Sequence, residues 1–213
     1  MSERPPAPRP PLRPLSAEAR RLSLARTLAA APAGDAIWVF AYGSLIWDPC
    51  FAFDERCTAT LIGHRRAFNF WTIQTRGTPE RPGLGLGLEP GGQCDGVAYR
   101  LSSRSRDTDL AAIWDREMYS AAYEPHWLPL QTPGGMQRAL CFVTNPAHEQ
   151  FAGTFPPARA AAIIAKASGA KGRCRDYLAQ TVDALARHGV SDPFLDALLA
   201  LVDSLPPEPA AAG

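Results

Sequence analysis

Hydrophobic positions along this chain change their spacing part-way. Ala36 to Tyr42 forms a continuous apolar and aromatic run, the pattern of a strand buried on both faces. Further short β candidates follow at 59–62, 67–72, 84–88, 97–101, 127–131 and 137–143, each bounded by Gly, Pro or Asp. Strands so short and so evenly spaced predict a small barrel. Helical spacing predicts a helix over 107–118 and then dominates at 157–167, 176–187 and 192–205, with Asp176 and Asp192 placed to cap the last two. Near the start, Ser16 is positioned to cap a helix running to about Ala31, with Glu18 in its first turn, Leu15, Leu22 and Leu28 available for packing, and Pro32 and Gly34 ending it. The outline is an α+β domain with a β-rich body and a helical C-terminal third.

Composition narrows the possibilities. The 213 residues are 46% hydrophobic, enough for one sizeable core. Lys and Arg number 22 against 21 acids, so no global field gathers nucleic acid or an anionic membrane surface. No apolar run approaches the roughly 20 residues of a membrane span. Residues 1–14 are Pro and Arg with little to bury and read as an extended, mobile tail. Arg20, Arg21 and Arg26 interrupt the place where an export signal would carry its apolar stretch, so a cytoplasmic location is the expectation. The five cysteines are odd in number and contain no CxxC pair, which disfavours a disulfide framework or a zinc site and suggests reduced, mostly interior thiols.

Candidate chemistry begins where the first strand stops. In Tyr42-Gly43-Ser44-Leu45, Gly43 permits a backbone path that turns successive N–H groups to one side, and Ser44 adds a hydroxyl, so the loop suits a carboxylate. A nucleophilic Ser44 is the weaker alternative, because no GxSxG elbow or neighbouring His accompanies it. Gly83, Gly85 and Gly87 alternate with leucines. At a strand's period of two they clear one face for another backbone or a ligand, and without a following GK[ST] they make no phosphate loop. Arg76 is a candidate anion partner, a surface Arg in a turn being the plain alternative. Glu117 stands among Trp114, Met118, Tyr119 and Tyr123, a setting that raises a carboxyl pKa and makes a useful acid or base; a solvated Glu paired with Arg116 is the plain alternative. The histidines lack metal-ligand spacing. His64-Arg65-Arg66 beside Phe68, Phe70 and Trp71 reads as the basic flank of a half-buried strand in preference to a nucleic-acid platform.

Taken together and in order, Phe40-Ala-Tyr-Gly-Ser-Leu-Ile-Trp47, Arg76-Gly-Thr-Pro-Glu80 with Pro82-Gly83-Leu84, Gly96-Val-Ala-Tyr99, Arg116-Glu117-Met118 with Tyr123 and Trp127, and Asp176-Tyr177-Leu178 resemble the ChaC family of γ-glutamylcyclotransferases over about Ile37 to Leu205. The resemblance implies a γ-glutamylcyclotransferase-like small mixed β-barrel with flanking helices. It also implies cleavage of glutathione into 5-oxoproline and cysteinylglycine, without metal or cofactor. The implied catalytic acid/base is Glu117, and the implied substrate contacts are Tyr42, Gly43, Ser44, Leu45 and Tyr123, to which the residue reading adds Arg76. Two positions depart from the family pattern: Phe151 where Tyr is frequent and Cys174 where Asn is common. The expected organisation is a Pro/Arg-rich tail with a helix over 1–35, the catalytic domain over 36–206 and a disordered tail over 207–213. The expected partner is a small γ-glutamyl molecule, with no nucleic acid and no membrane; oligomeric state is not encoded in any readable pattern. Two other functions fit the same residues: a cyclotransferase for another γ-glutamyl compound, and an inactive γ-glutamyl-binding module.

Overall fold

A computed structural model describes residues 9–34 and 36–206; the first eight residues of the expected mobile tail and the C-terminal tail over 207–213 lie outside the described residues. Helix α1 (Ala17–Ala29) opens on Ser16, whose hydroxyl accepts from the Ala19 N–H. Strands β1 (Trp38–Ala41), β2 (Phe53–Thr72), β3 (Gly83–Leu101), β4 (Tyr123–Thr132) and β5 (Gly135–Thr144) close a barrel in the order β1-β3-β2-β4-β5. Every pairing is antiparallel except β1 with β5, which closes the barrel in parallel at Val39 and Leu140. Helix α2 (Arg106–Glu117) joins β3 to β4, and α3 (Pro157–Lys166), α4 (Cys174–Arg187) and α5 (Pro193–Ser204) make up the C-terminal third.

The segments expected at 59–62 and 67–72 are one strand, and so are those at 84–88 and 97–101. Gly63, with φ +84°, does not end β2: it sits at one of three register shifts that bend the β2–β3 ribbon without breaking it. A strand of 20 residues paired with one of 19 is long enough to wrap the barrel, which separate short strands are not. Further differences are local. A two-stranded hairpin, β6 (Ser168–Gly169) and β7 (Gly172–Arg173), precedes α4, too short for periodicity to show. Asp192 caps α5 as expected, accepting from the Phe194 and Leu195 N–H groups, but Asp176 lies inside the first turn of α4, which starts at Cys174. In α1 it is Leu24 and Leu28 that pack on the core, while Leu22 faces solvent.

Part of the segment expected to be mobile is docked. The Arg9 N–H donates to Pro79 O, its guanidinium stacks 4.2 Å from the Trp71 ring, and the Leu15 N–H donates to Tyr119 O. Arg20 pairs with Asp115 at 2.9 Å and Trp127 Nε1 donates to Thr27 O, so α1 is fastened to α2 and β4.

Arg66 is the interior cation of the fold. Its side chain is 2% exposed, against 57% for neighbouring Arg65, so the expected basic flank is half interior. Its guanidinium donates to Tyr42 O at 2.6 Å and Asp95 O at 2.5 Å and pairs with the Asp192 carboxylate. One side chain thereby ties β2 to β3, to the cap of α5 and to the residue that begins the Tyr42–Leu45 loop. No helix of the described residues is long and apolar enough to cross a membrane. Cys94, Cys141 and Cys174 are buried, Cys50 and Cys57 half-buried, and all are free thiols.

Candidate active site

Strand β3 meets β1 only over Val97–Arg100, so the outer edge of its Leu84–Leu88 half has no strand to pair with. Buried backbone groups need partners, and here side chains provide them. Cys174 Sγ donates to Leu84 O at 3.1 Å and Tyr123 Oη donates to Leu86 O at 2.8 Å. The thiol at 174 thus makes a buried hydrogen bond of its own at the position where Asn was expected, and burial pushes its pKa up to about 11. Phe151, the other departure, forms an isolated bridge with Phe70.

This gap holds a small inner cavity of about 30 Å³. The Tyr42–Leu45 loop, Glu117, Tyr123 and Tyr177 line it together with Phe40, Leu86 and Phe142. Six of the seven residues singled out in the sequence therefore converge. The seventh, Arg76, does not reach the inner cavity. It lines an outer cleft of about 850 Å³ that shares Ser44, Glu117, Tyr123 and Tyr177 with the inner one. There its guanidinium sits 5.7 Å from the Tyr177 ring and 6.0 Å from the Trp47 ring, with 3.4 Å contacts to Arg173 O and Gln180 Oε1 and no carboxylate partner among the described residues.

The glycines act on packing. A Cβ at Gly85 would overlap the Phe70 ring, and one at Gly87 would overlap Thr144 Oγ1 and Asn69 Oδ1, so their cleared face admits neighbouring side chains. Gly43 is different. A Cβ there would stand 3.2 Å from the Tyr177 hydroxyl, so the loop passes close against that tyrosine.

After Gly43 the chain makes a 3-10 turn over Ser44–Ile46, in which the Ile46 N–H donates to Gly43 O. The N–H groups of Ser44 and Leu45 begin that turn and have no carbonyl of the turn to bond, which leaves them suited to an anion. Arg116 fastens the loop to α2: it donates to Ser44 Oγ at 2.8 Å and to Asp48 O at 2.5 Å. Because Ser44 Oγ accepts from a permanent cation, its neighbour cannot remove its proton, which disfavours a serine nucleophile.

Glu117 is the last residue of α2, its side chain 14% exposed. Burial raises its carboxyl above the ordinary carboxylate range, while Arg116, whose Nε lies 3.3 Å from Oε1, and Lys171 pull it back down. The result is a shielded carboxylate with raised basicity facing the cavity. Burial also raises the phenol pKa values of Tyr42, Tyr123 and Tyr177, which stay neutral near pH 7. Sequence reasoning left Arg116 as a bland partner of Glu117 and gave Tyr177 no role. Tyr177 reaches the cavity only through α4, far along the chain, where no local spacing reports it.

The model of the family described as ChaC-like protein matches residues 37–205. The glutathione-specific gamma-glutamylcyclotransferase of Escherichia coli (strain K12) is 39% identical over 191 residues, covering 89% of this chain and 83% of that protein. The glutathione-specific gamma-glutamylcyclotransferase 1 of Rattus norvegicus is 31% identical, covering 81% of each chain. Among solved structures, a yeast gamma-glutamyl cyclotransferase specific to glutathione superposes with a TM-score of 0.73 over 80% of this chain and 96% of that one, at 22% identity, a likeness of fold.

Proposed function

This chain belongs to the ChaC-like family, and from that premise we propose that it is a γ-glutamylcyclotransferase that cleaves glutathione into 5-oxo-L-proline and L-cysteinylglycine. The observation that carries the reading is that a shielded Glu117 carboxylate and the Tyr42–Leu45 loop line one small cavity.

The substrate contains its own nucleophile: the α-amine of the γ-glutamyl group closes on the γ-amide carbonyl to make a five-membered lactam. The protein's task is to hold the bent conformer, and well-oriented intramolecular reactions reach effective molarities of roughly 10⁵ to 10⁸ M. In this reading the N–H groups of Ser44 and Leu45, with the Ser44 hydroxyl, receive the α-carboxylate. Glu117 takes a proton from the α-ammonium, freeing the amine to attack, and returns one to the departing cysteinyl nitrogen. Its raised pKa suits both halves, since general acid/base groups work best near the operating pH. The leaving dipeptide extends into the outer cleft, where its terminal carboxylate meets the guanidinium of Arg76. Tyr123 borders the γ-glutamyl group from β4.

Purified full-length protein is assayed for 5-oxoproline with glutathione and with a γ-glutamyl amine that lacks a carboxylate on the leaving side. Glutathione is expected to be the better substrate. Glu117→Gln keeps the shape of the side chain and is expected to lower turnover about 10² to 10⁴-fold with folding intact. Full activity of that variant removes Glu117 from the mechanism, and equal use of the amine removes Arg76 from recognition.

A further inference from the structure

Three phenols border the inner cavity, and their hydrogen bonds are not equivalent. Tyr42 Oη donates to Phe142 O at 2.7 Å. Tyr123 Oη donates to Leu86 O at 2.8 Å. A phenol has one proton, so both of these are spent on the protein. Tyr177 differs: its hydroxyl donates to no acceptor among the described residues, and the side chain lines the cavity. Leu86 O, on the unpaired edge of β3, therefore consumes the Tyr123 proton, while the Tyr177 proton stays available.

Position adds to this. Tyr177 lines both the inner cavity and the outer cleft, as Glu117 does, so it stands where the two spaces join. A γ-glutamyl group seated inside with its leaving group outside puts the scissile amide at that junction. The ring is held edge-on by Trp47 and Phe68, at centroid distances of 6.3 and 6.1 Å, and the hydroxyl is pressed close to Gly43.

We propose that Tyr177 is a catalytic residue, its phenol donating a hydrogen bond to the γ-carbonyl oxygen as that oxygen gains negative charge. The inference rests on the cyclotransferase reading above. The α-nitrogen forms a bond to the γ-carbon while the carbonyl π pair moves onto oxygen; Glu117 holds the proton released by the nitrogen. The oxyanion, stabilised by Tyr177, then re-forms its double bond. The bond to the cysteinyl nitrogen breaks, its electron pair leaves with that nitrogen, and Glu117 protonates it; the freed carboxylate then takes the second ammonium proton from the lactam nitrogen and passes it to the product amine. Tyr177 gives up no proton at any stage.

Tyr177→Phe keeps the ring between Trp47 and Phe68. Loss of one oxyanion donor predicts a fall in kcat of about 10² to 10³-fold, with KM for glutathione nearly unchanged and the acidic limb of the pH–rate profile in place. 3-Fluorotyrosine at position 177 retains the hydroxyl and is expected to keep most of the wild-type kcat. Overturning results are a kcat within about threefold of wild type for Tyr177→Phe, a loss expressed in KM alone, a displaced acidic limb, or a fluorotyrosine variant as slow as the Phe variant. Wild-type protein that releases no 5-oxoproline overturns the underlying reading instead.

Discussion

Replacing Arg66 with Met keeps an apolar stem of similar length and deletes a guanidinium that is 2% exposed. Tyr42 O and Asp95 O lose their donor and Asp192 loses its ion pair. Breaking a buried pair by removing one partner costs roughly 3–5 kcal/mol, because the surviving charge is left uncompensated. Asp192 is 17% exposed and uses its other oxygen to cap α5, so water recovers part of its charge and the loss belongs near the lower figure. For a chain of this size about 3 kcal/mol lowers the melting temperature by roughly 6–12 °C. Urea unfolding followed by tryptophan fluorescence measures it, and Arg66→Met combined with Asp192→Asn is expected to be more stable than the two single losses sum to. Since Arg66 also anchors the carbonyl of Tyr42, KM for glutathione is expected to rise. A loss below about 1 kcal/mol, or strictly additive variants, refutes the reasoning.

Two other outcomes are expected. Glu117 has its carboxyl raised by burial, so folding favours its neutral form and its charge is a penalty above the raised pKa, absent below the ordinary carboxylate pKa and worth about 1.4 kcal/mol for each unit of elevation. Glu117→Gln is therefore expected to melt higher than wild type at pH 7, with the gain shrinking as pH falls toward 4; a difference that does not change with pH contradicts the burial argument. Gly87→Ala places a methyl onto the buried Thr144–Asn69 hydrogen bond, and overpacking of this kind costs roughly 1–3 kcal/mol in chemical denaturation; an unchanged unfolding midpoint contradicts the close approach.

What the sequence made legible was local. The Ile37–Tyr42 run, the loop after it, the Ser16 and Asp192 caps and the helical spacing after Pro157 each carry their meaning within a few residues, and each has its counterpart in the structure. Where sequence reasoning fell short, the cause lay across the fold. Gly63 and Gly91 look like turns in one dimension because both take positive φ, yet the partner strand continues past them, which makes them bends in a long ribbon. Arg66 looks like a surface charge until Asp192, 126 residues away, arrives beside it. Arg116 meets Ser44 across 72 residues. Tyr177 lines the cavity with residues more than 130 positions away in the chain, which no spacing rule along α4 reports. Glu117 was visible as a carboxylate among aromatics; the structure keeps its pairing with Arg116 at 3.3 Å but shields it, against the solvated alternative.

The account turns on attack by the substrate's own nitrogen in place of water, and oxygen isotope labelling tests that directly. Glutathione is turned over by the full-length protein in ¹⁸O-enriched water and the products are weighed by mass spectrometry. Intramolecular closure predicts 5-oxoproline and cysteinylglycine in equal amounts, with no ¹⁸O in the lactam. Glutamate carrying ¹⁸O in its side-chain carboxylate contradicts it, since that oxygen enters only if water attacks the γ-carbonyl.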